Sequence, residues 1–215
     1  ALATWGETLP IIIRCLVGRG WGQGPTHSQS FHRMLSDVPG LRVLYPVDPM
    51  TVGSWFQFAE TQPPTVIFEP RRLYEYQKIP LVNLRVDAPD MILYTYGDIV
   101  LEAIGAAAML LETGQAWVQV QPVEDVTGDT PIITDYLRCD TMPRRKQEYS
   151  DGRHGWVSPP MSATPTAYRL ESTYYPTARD IAEAVMRHLG RSFDSSSLAK
   201  AAFVTAERDG RLEAF

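Results

Sequence analysis

With 215 residues, 44% of them hydrophobic and 21% charged, the chain can bury a core of one or two domains and has an ordinary globular balance. Its net charge of −5 argues against unspecific attraction to nucleic acid or anionic membrane, which a basic patch would supply. No apolar run approaches the roughly 20 residues that span a bilayer, so neither membrane insertion nor a direct nucleic-acid contact is expected.

The opening ALATWGETLPIIIRC lacks the basic region and small-residue cleavage site of a secretory signal. Residues 11–15 are β-branched and nearly continuous, which predicts a buried strand. A glycine-rich loop follows over residues 18–30, where Gly18, Gly20, Gly22 and Gly24 alternate with other residues. Such spacing permits backbone conformations closed to other residues and a close approach of other groups. A short helix is predicted over residues 28–36, with Ser28 and Ser30 read as its caps. Pro39-Gly40 supplies a turn, and residues 41–45 form a second strand. Asp48-Pro49 starts a helix running to about Glu60, because proline suits the first helical position. Residues 65–69 give a third strand.

Residues 70–90 carry Pro70, Pro80 and Pro89 and no sustained period, so they read as a connector. A new unit then opens with a strand over residues 91–96. Asp98 is placed to cap a helix over residues 99–113 that Gly114 closes. Residues 116–121 alternate as a half-buried strand. Thr130-Pro131 predicts a further helix reaching Arg138. Residues 139–165 have no period, and a run that long suggests a deletion or an extended functional loop. The basic cluster Arg144, Arg145 and Lys146, diluted by Asp140, Glu148 and Asp151, reads as a solvated loop. Thr177 with Asp180 opens the last helix through a capping box. Ile181, Ala184, Val185 and Leu189 share one of its faces, and Gly190 ends it. Strands alternating with helices predict an α/β fold with parallel sheets in two units.

Several chemistries lack their signatures. There is no GxSxG elbow for a serine hydrolase. No Gly-Lys-Ser/Thr follows the glycine-rich loop, and its spacing is not that of a dinucleotide fingerprint. Two cysteines, Cys15 and Cys139, make neither a disulfide framework nor a CxxC metal pair; a reducing compartment fits them. His32, His154 and His188 read as surface or capping residues, and Glu69 and Glu102 as solvated or locally paired.

The run GWGQGPTHSQSFHRMLSDVPGLRVLYPVDP resembles the beta subunits of pyruvate and branched-chain 2-oxo acid dehydrogenases. Its marks are His27-Ser28-Gln29-Ser30, Pro39-Gly40-Leu41 and the stretch from Pro46 to Pro49. PPTVIFEPRRLY, MILYTYGDIVLEAIGAAAMLLETG and TPTAYRLESTYYPTARDIAEAV resemble later segments of that family in the same order. The resemblance implies an incomplete pyrimidine-binding-type sheet over residues 1–80, a shortened transketolase C-terminal-type α/β domain over 81–190, and a peripheral tail over 191–215.

The same resemblance implies thiamine-diphosphate-dependent decarboxylation of a 2-oxo acid, acyl transfer to a lipoyl arm, and an alpha-type partner subunit in a large complex. The setting of such a complex is the mitochondrial matrix or the bacterial cytoplasm. His27 matches the family histidine linked to transfer onto lipoyl, where an imidazole near neutrality can protonate the thiolate released from the disulfide. The alternative is that His27 only bonds the loop backbone or caps the following helix. The family segment carrying the cofactor-activating glutamate has no match here, and residues after Cys139 depart from the family's strand and glycine turn. The expectation is therefore that no cofactor is bound by this chain alone, with thiamine diphosphate at an interface with partner chains. Two readings follow: a degenerate paralogue acting as an interaction subunit, placed slightly ahead, or half of a split dehydrogenase beta subunit.

Overall fold

The computed structural model describes residues 9–59, 64–76, 87–123, 136–139 and 154–194. The first sheet has three parallel strands: β1 (Ile12–Val17), β2 (Arg42–Leu44) and β3 (Thr65–Pro70), in the order β1-β3-β2. All six residues of β3 are buried, as a strand paired on both edges should be, whereas β1, expected as a buried strand, is buried only at Val17 and open at Ile13, Arg14 and Leu16, because among the described residues only one of its edges is paired. Thr65 stands level with both Ile12 and Arg42. Two helices belong to this unit, α1 (His32–Ser36) and α2 (Pro49–Ala59). Their starts follow different rules. Proline opens α2 and the Asp48 carboxylate accepts the Met50 N–H at 2.9 Å, as the sequence predicts. α1 begins four residues later than predicted, and its cap residue Phe31 makes no side-chain capping bond.

The second sheet is a four-stranded parallel layer in the order β5-β4-β6-β7. It is built from β4 (Met91–Thr95), β5 (Val118–Pro122), β6 (Tyr136–Cys139) and β7 (His154–Val157). Two expectations are corrected here. Tyr136–Cys139 is a strand and not the end of a helix, because it pairs with β4 on one edge and β7 on the other. The run without periodicity contains β7, which is too short to show alternation and is held by register with β6. The segment that departs from the family pattern thus still supplies a strand.

Helix α3 (Ile99–Glu112) is buried at nine positions, from Ile99 to Leu110. Ala103, Ala106 and Ala107 leave room on it for close neighbours. The main core joins α3 to β4, β5 and the last helix, α5 (Ala178–His188), through Leu93, Leu110, Val118, Ile181 and Val185. α5 carries the predicted capping box: Asp180 N–H donates to Thr177 Oγ1 at 3.3 Å, and Thr177 N–H donates to Asp180 Oδ2 at 2.8 Å. A four-residue helix, α4 (Tyr168–Glu171), precedes it and is not visible in the sequence pattern. A smaller core under the first sheet contains Val17, Val43, Tyr45, Val66, Phe68 and Tyr96.

The connector forms a 3-10 turn at Arg71–Glu75. Residues 191–194 lie against the end of α3, where Asp194 and Gln115 exchange two hydrogen bonds. The predicted basic loop Arg144-Arg145-Lys146, the helix start at Thr130-Pro131 and the tail beyond Asp194 lie outside the described residues.

Candidate functional site

The glycine-rich loop leaves the C-terminal end of β1 and turns beside the N-terminus of α3. Gly20 and Gly22 adopt φ of +88° and +65°, a region that glycine enters without steric penalty. This geometry aims their N–H groups at one carboxylate. Glu171 Oε1 accepts the Gly20 N–H at 2.5 Å, its Oε2 accepts the Gly22 N–H, and Ser28 Oγ donates to the same Oε2 at 3.1 Å. Glu171 is 1% exposed. The loop therefore resembles an anion-binding nest whose anion is the chain's own side chain. That gives a structural reason, beyond the missing Gly-Lys-Ser/Thr, why it is not a phosphate cradle.

Downstream, the loop closes in a 3-10 turn at Gly24–Thr26. The Ser28 N–H donates to Gly24 O at 2.9 Å and the His27 N–H to the same oxygen at 3.4 Å. Ser28 O accepts the hydroxyl of Tyr175. Burial raises the pKa of that hydroxyl strongly, so it remains a donor. Ser28 and Ser30 are both buried and neither caps a helix, which corrects the sequence reading. Ser28 serves Glu171 and the Gln23 N–H, and Ser30 Oγ lies 2.8 Å from His32 Nδ1.

Among the histidines, His27 is exposed. Its imidazole makes no hydrogen bond among the described residues, while its backbone N–H closes the 3-10 turn on Gly24 O. His32 is the opposite of the surface residue expected. It is fully buried, with its ring centroid 4.6 Å from Tyr45 and 6.0 Å from Tyr96. His188 is half-buried in the last turn of α5, and His154 lies on β7.

A buried charge network fixes the loop's base. Arg19 Nε donates to Asp98 Oδ2 at 2.9 Å, and its Nη2 reaches Glu102 Oε1 at 3.4 Å. Arg72 Nη1 lies 3.3 Å from Glu102 Oε1 and 3.6 Å from Asp98 Oδ2. Glu102 Oε2 also accepts the N–H of Ala178, the first residue of α5, at 3.0 Å. Burial disfavours the Arg19 charge, but Asp98 and Glu102 outweigh it and hold the guanidinium protonated. Asp98 thus pairs with Arg19 in place of the cap the sequence predicts, since its side chain makes no capping bond. Glu69 is buried and paired as well, accepting from Arg14 at 2.6 and 2.8 Å and from Tyr74 Oη at 2.7 Å.

Between Gly18, Ser28, Ser30, Tyr45 and Tyr175 lies a cavity of about 10 Å³, room for about one water. It does not fit a cofactor the size of thiamine diphosphate. Among the described residues no group of histidine, cysteine or carboxylate side chains could hold a metal ion, and no helix is long and apolar enough to cross a membrane.

No protein-family model matches the chain. It is 27% identical over 210 residues to the beta subunit of acetoin:2,6-dichlorophenolindophenol oxidoreductase from Cupriavidus necator, covering 83% of this chain and 62% of that protein. Against the pyruvate dehydrogenase E1 component subunit beta of Mycoplasma genitalium it is 25% identical over 159 residues, covering 62% of this chain and 49% of that one. The chain thus spans less than two thirds of either relative. A transketolase variant from Pichia stipitis superposes with a TM-score of 0.65 at 17% identity, covering 86% of this chain and 31% of that one. These similarities make the chain a homologue of the beta subunits of pyruvate dehydrogenase and acetoin oxidoreductase, with a transketolase-like fold.

Proposed function

We propose that the chain is the beta-type half of a thiamine-diphosphate-dependent oxidoreductase that cleaves a 2-oxo acid or acetoin and passes the acyl group to a lipoyl arm. The observation that carries this reading is the position of His27. Its imidazole stands open to solvent on a loop whose neighbouring Gly20, Gly22 and Ser28 are all bonded inward. Opening a lipoyl disulfide leaves a thiolate, and an exposed imidazolium at a fixed place is suited to protonate it. The cavity beneath the loop is too small for the cofactor. In this reading the cofactor is held where the chain meets an alpha-type subunit, and the two domains keep the approximate bounds 1–80 and 81–190.

The interaction-subunit reading expects strands to be missing from the second sheet, whereas four paired strands stand there. One observation still favours it. Ile13 and Leu16 of the edge strand β1 are 46% and 55% exposed, and an open apolar edge invites another strand or surface.

The test combines the chain with its cognate alpha-type subunit and thiamine diphosphate, supplying pyruvate or acetoin with dichlorophenolindophenol or a lipoyl domain as acceptor. Thiamine-dependent reduction of the dye with one of the substrates is expected. His27→Ala should lower lipoyl acylation by about 100-fold, within the usual range for a general acid, and spare dye reduction. A complex that forms but turns over neither substrate would leave only the interaction role.

A further inference from the structure

We infer that Glu171 is the positioning residue of the His27 loop, holding it in place from the end of the short helix α4. This rests on the reading of His27 given above, but its own evidence is separate. The carboxylate collects three donors, the N–H groups of Gly20 and Gly22 and the hydroxyl of Ser28, from residues 143 to 151 positions away in the chain. Each lies within nine residues of His27. The whole segment around Glu171 is moulded to the loop. A Cβ on Gly22 would stand 2.5 Å from the Tyr168 backbone nitrogen, and one on Gly24 would stand 2.7 Å from Thr166 Cγ2. Tyr175 adds its hydroxyl on Ser28 O, directly after His27.

The chemistry selects a carboxylate. Two N–H groups and a hydroxyl all donate, so the group between them must accept with both of its oxygens. An ionised acid makes these bonds charge-assisted, hence short and strong. Glutamine has the same shape but sets an NH2 against a donor that points at it. The exposed histidine thus takes its place in space from a buried acid that does not itself touch the reacting atoms. A loop free at both bends would leave the imidazole to wander, and transfer between two tethered groups is sensitive to displacements of about 1 Å.

The experiment uses the full chain in complex with its alpha-type subunit and follows amide hydrogen exchange together with lipoyl acylation. In Glu171→Gln, exchange in peptides spanning residues 18–30 should rise at least about tenfold, while α3 exchanges as before. Lipoyl-dependent kcat should fall at least about tenfold, the KM for the oxo substrate should stay within about twofold, and dye reduction should persist. Ser28→Ala, which removes one donor of three, should reproduce both effects at reduced size and covers the case in which Glu171→Gln fails to fold. Loop exchange unchanged in the variants overturns the inference. So does a loosened loop with undiminished acylation, provided that His27→Ala abolishes acylation. If His27→Ala acylates normally, the reading of His27 fails, and the exchange of residues 18–30 alone decides whether Glu171 holds the loop.

Discussion

Arg19 and Asp98 form an ion pair 2.9 Å long with both side chains less than one-tenth exposed, joining the glycine-rich loop to the start of α3 across 79 positions. Removing one member leaves the other charged and dry, which costs far more than an exposed pair is worth. Asp98→Ala is expected to destabilise the chain by about 3 kcal/mol, the low end of the range for breaking a buried pair, because Glu102 still faces Arg19. Urea unfolding should show this as a lower midpoint at unchanged slope.

Acid should weaken the same contacts. Burial pushes the Asp98 carboxyl up, but Arg19 and Arg72 outweigh it and hold it below its ordinary value of 3.8. The hydrogen bond from Arg14 holds Glu69 below its ordinary 4.5, against the opposing pull of burial and with help from Tyr74. Both folded-state values are depressed, so the unfolded chain takes up these protons first as pH falls. The stabilisation is complete above the ordinary values and drains away below them, toward the folded ones. Melting temperatures measured from about pH 7 to about pH 3 should stay level and then drop below about pH 4.5. Asp98→Asn should start lower and fall less steeply.

The loop's backbone makes a separate prediction. Gly22 combines a positive φ with a neighbour, the Tyr168 nitrogen, that a Cβ would approach to 2.5 Å. Gly22→Ala therefore costs at least about 1–2 kcal/mol for the left-handed conformation alone, and the α4 backbone must also shift. Gly97, at φ +55°, carries a similar constraint against the Tyr45 ring. Gly53→Ala, with open space and ordinary helical geometry, should stabilise by about 0.5–1 kcal/mol. The contrast between these variants in thermal unfolding checks the loop geometry.

Packing of α5 on α3 gives a fourth expectation. Ile181 is fully buried in the main core, so Ile181→Ala should cost about 2–5 kcal/mol by lost burial and the cavity left behind. Leu170, 61% exposed on α4, should tolerate alanine within about 0.5 kcal/mol.

What could be read from the sequence is what local pattern encodes. The β-branched runs gave the strands of the first sheet, Asp48-Pro49 and Thr177 with Asp180 gave helix starts, and the alternating glycines with His27-Ser28-Gln29-Ser30 located the loop. The features that escaped are set by distant partners. Tyr136–Cys139 is a strand only because β4 and β7 flank it. His32 is buried because Tyr45, Phe68 and Tyr96 converge on it from later in the chain. Asp98 sits where a cap is expected, yet its carboxylate belongs to Arg19. Glu171 looks like an ordinary acid on a short helix until the loop residues it binds, some 150 positions earlier, are folded against it. Only the alternation of glycines, which frees N–H groups to converge, hinted that some acceptor must exist.

Calorimetric titration of thiamine diphosphate decides whether this chain builds its share of the proposed cofactor site only together with an alpha-type subunit. The chain alone, the alpha-type subunit alone and the assembled complex are each titrated. Saturable binding by the complex is expected to be at least about tenfold tighter than to either part, a coupling of about 1.4 kcal/mol. Saturable binding to the isolated chain, or a complex that binds no better than its alpha-type subunit, would contradict that expectation.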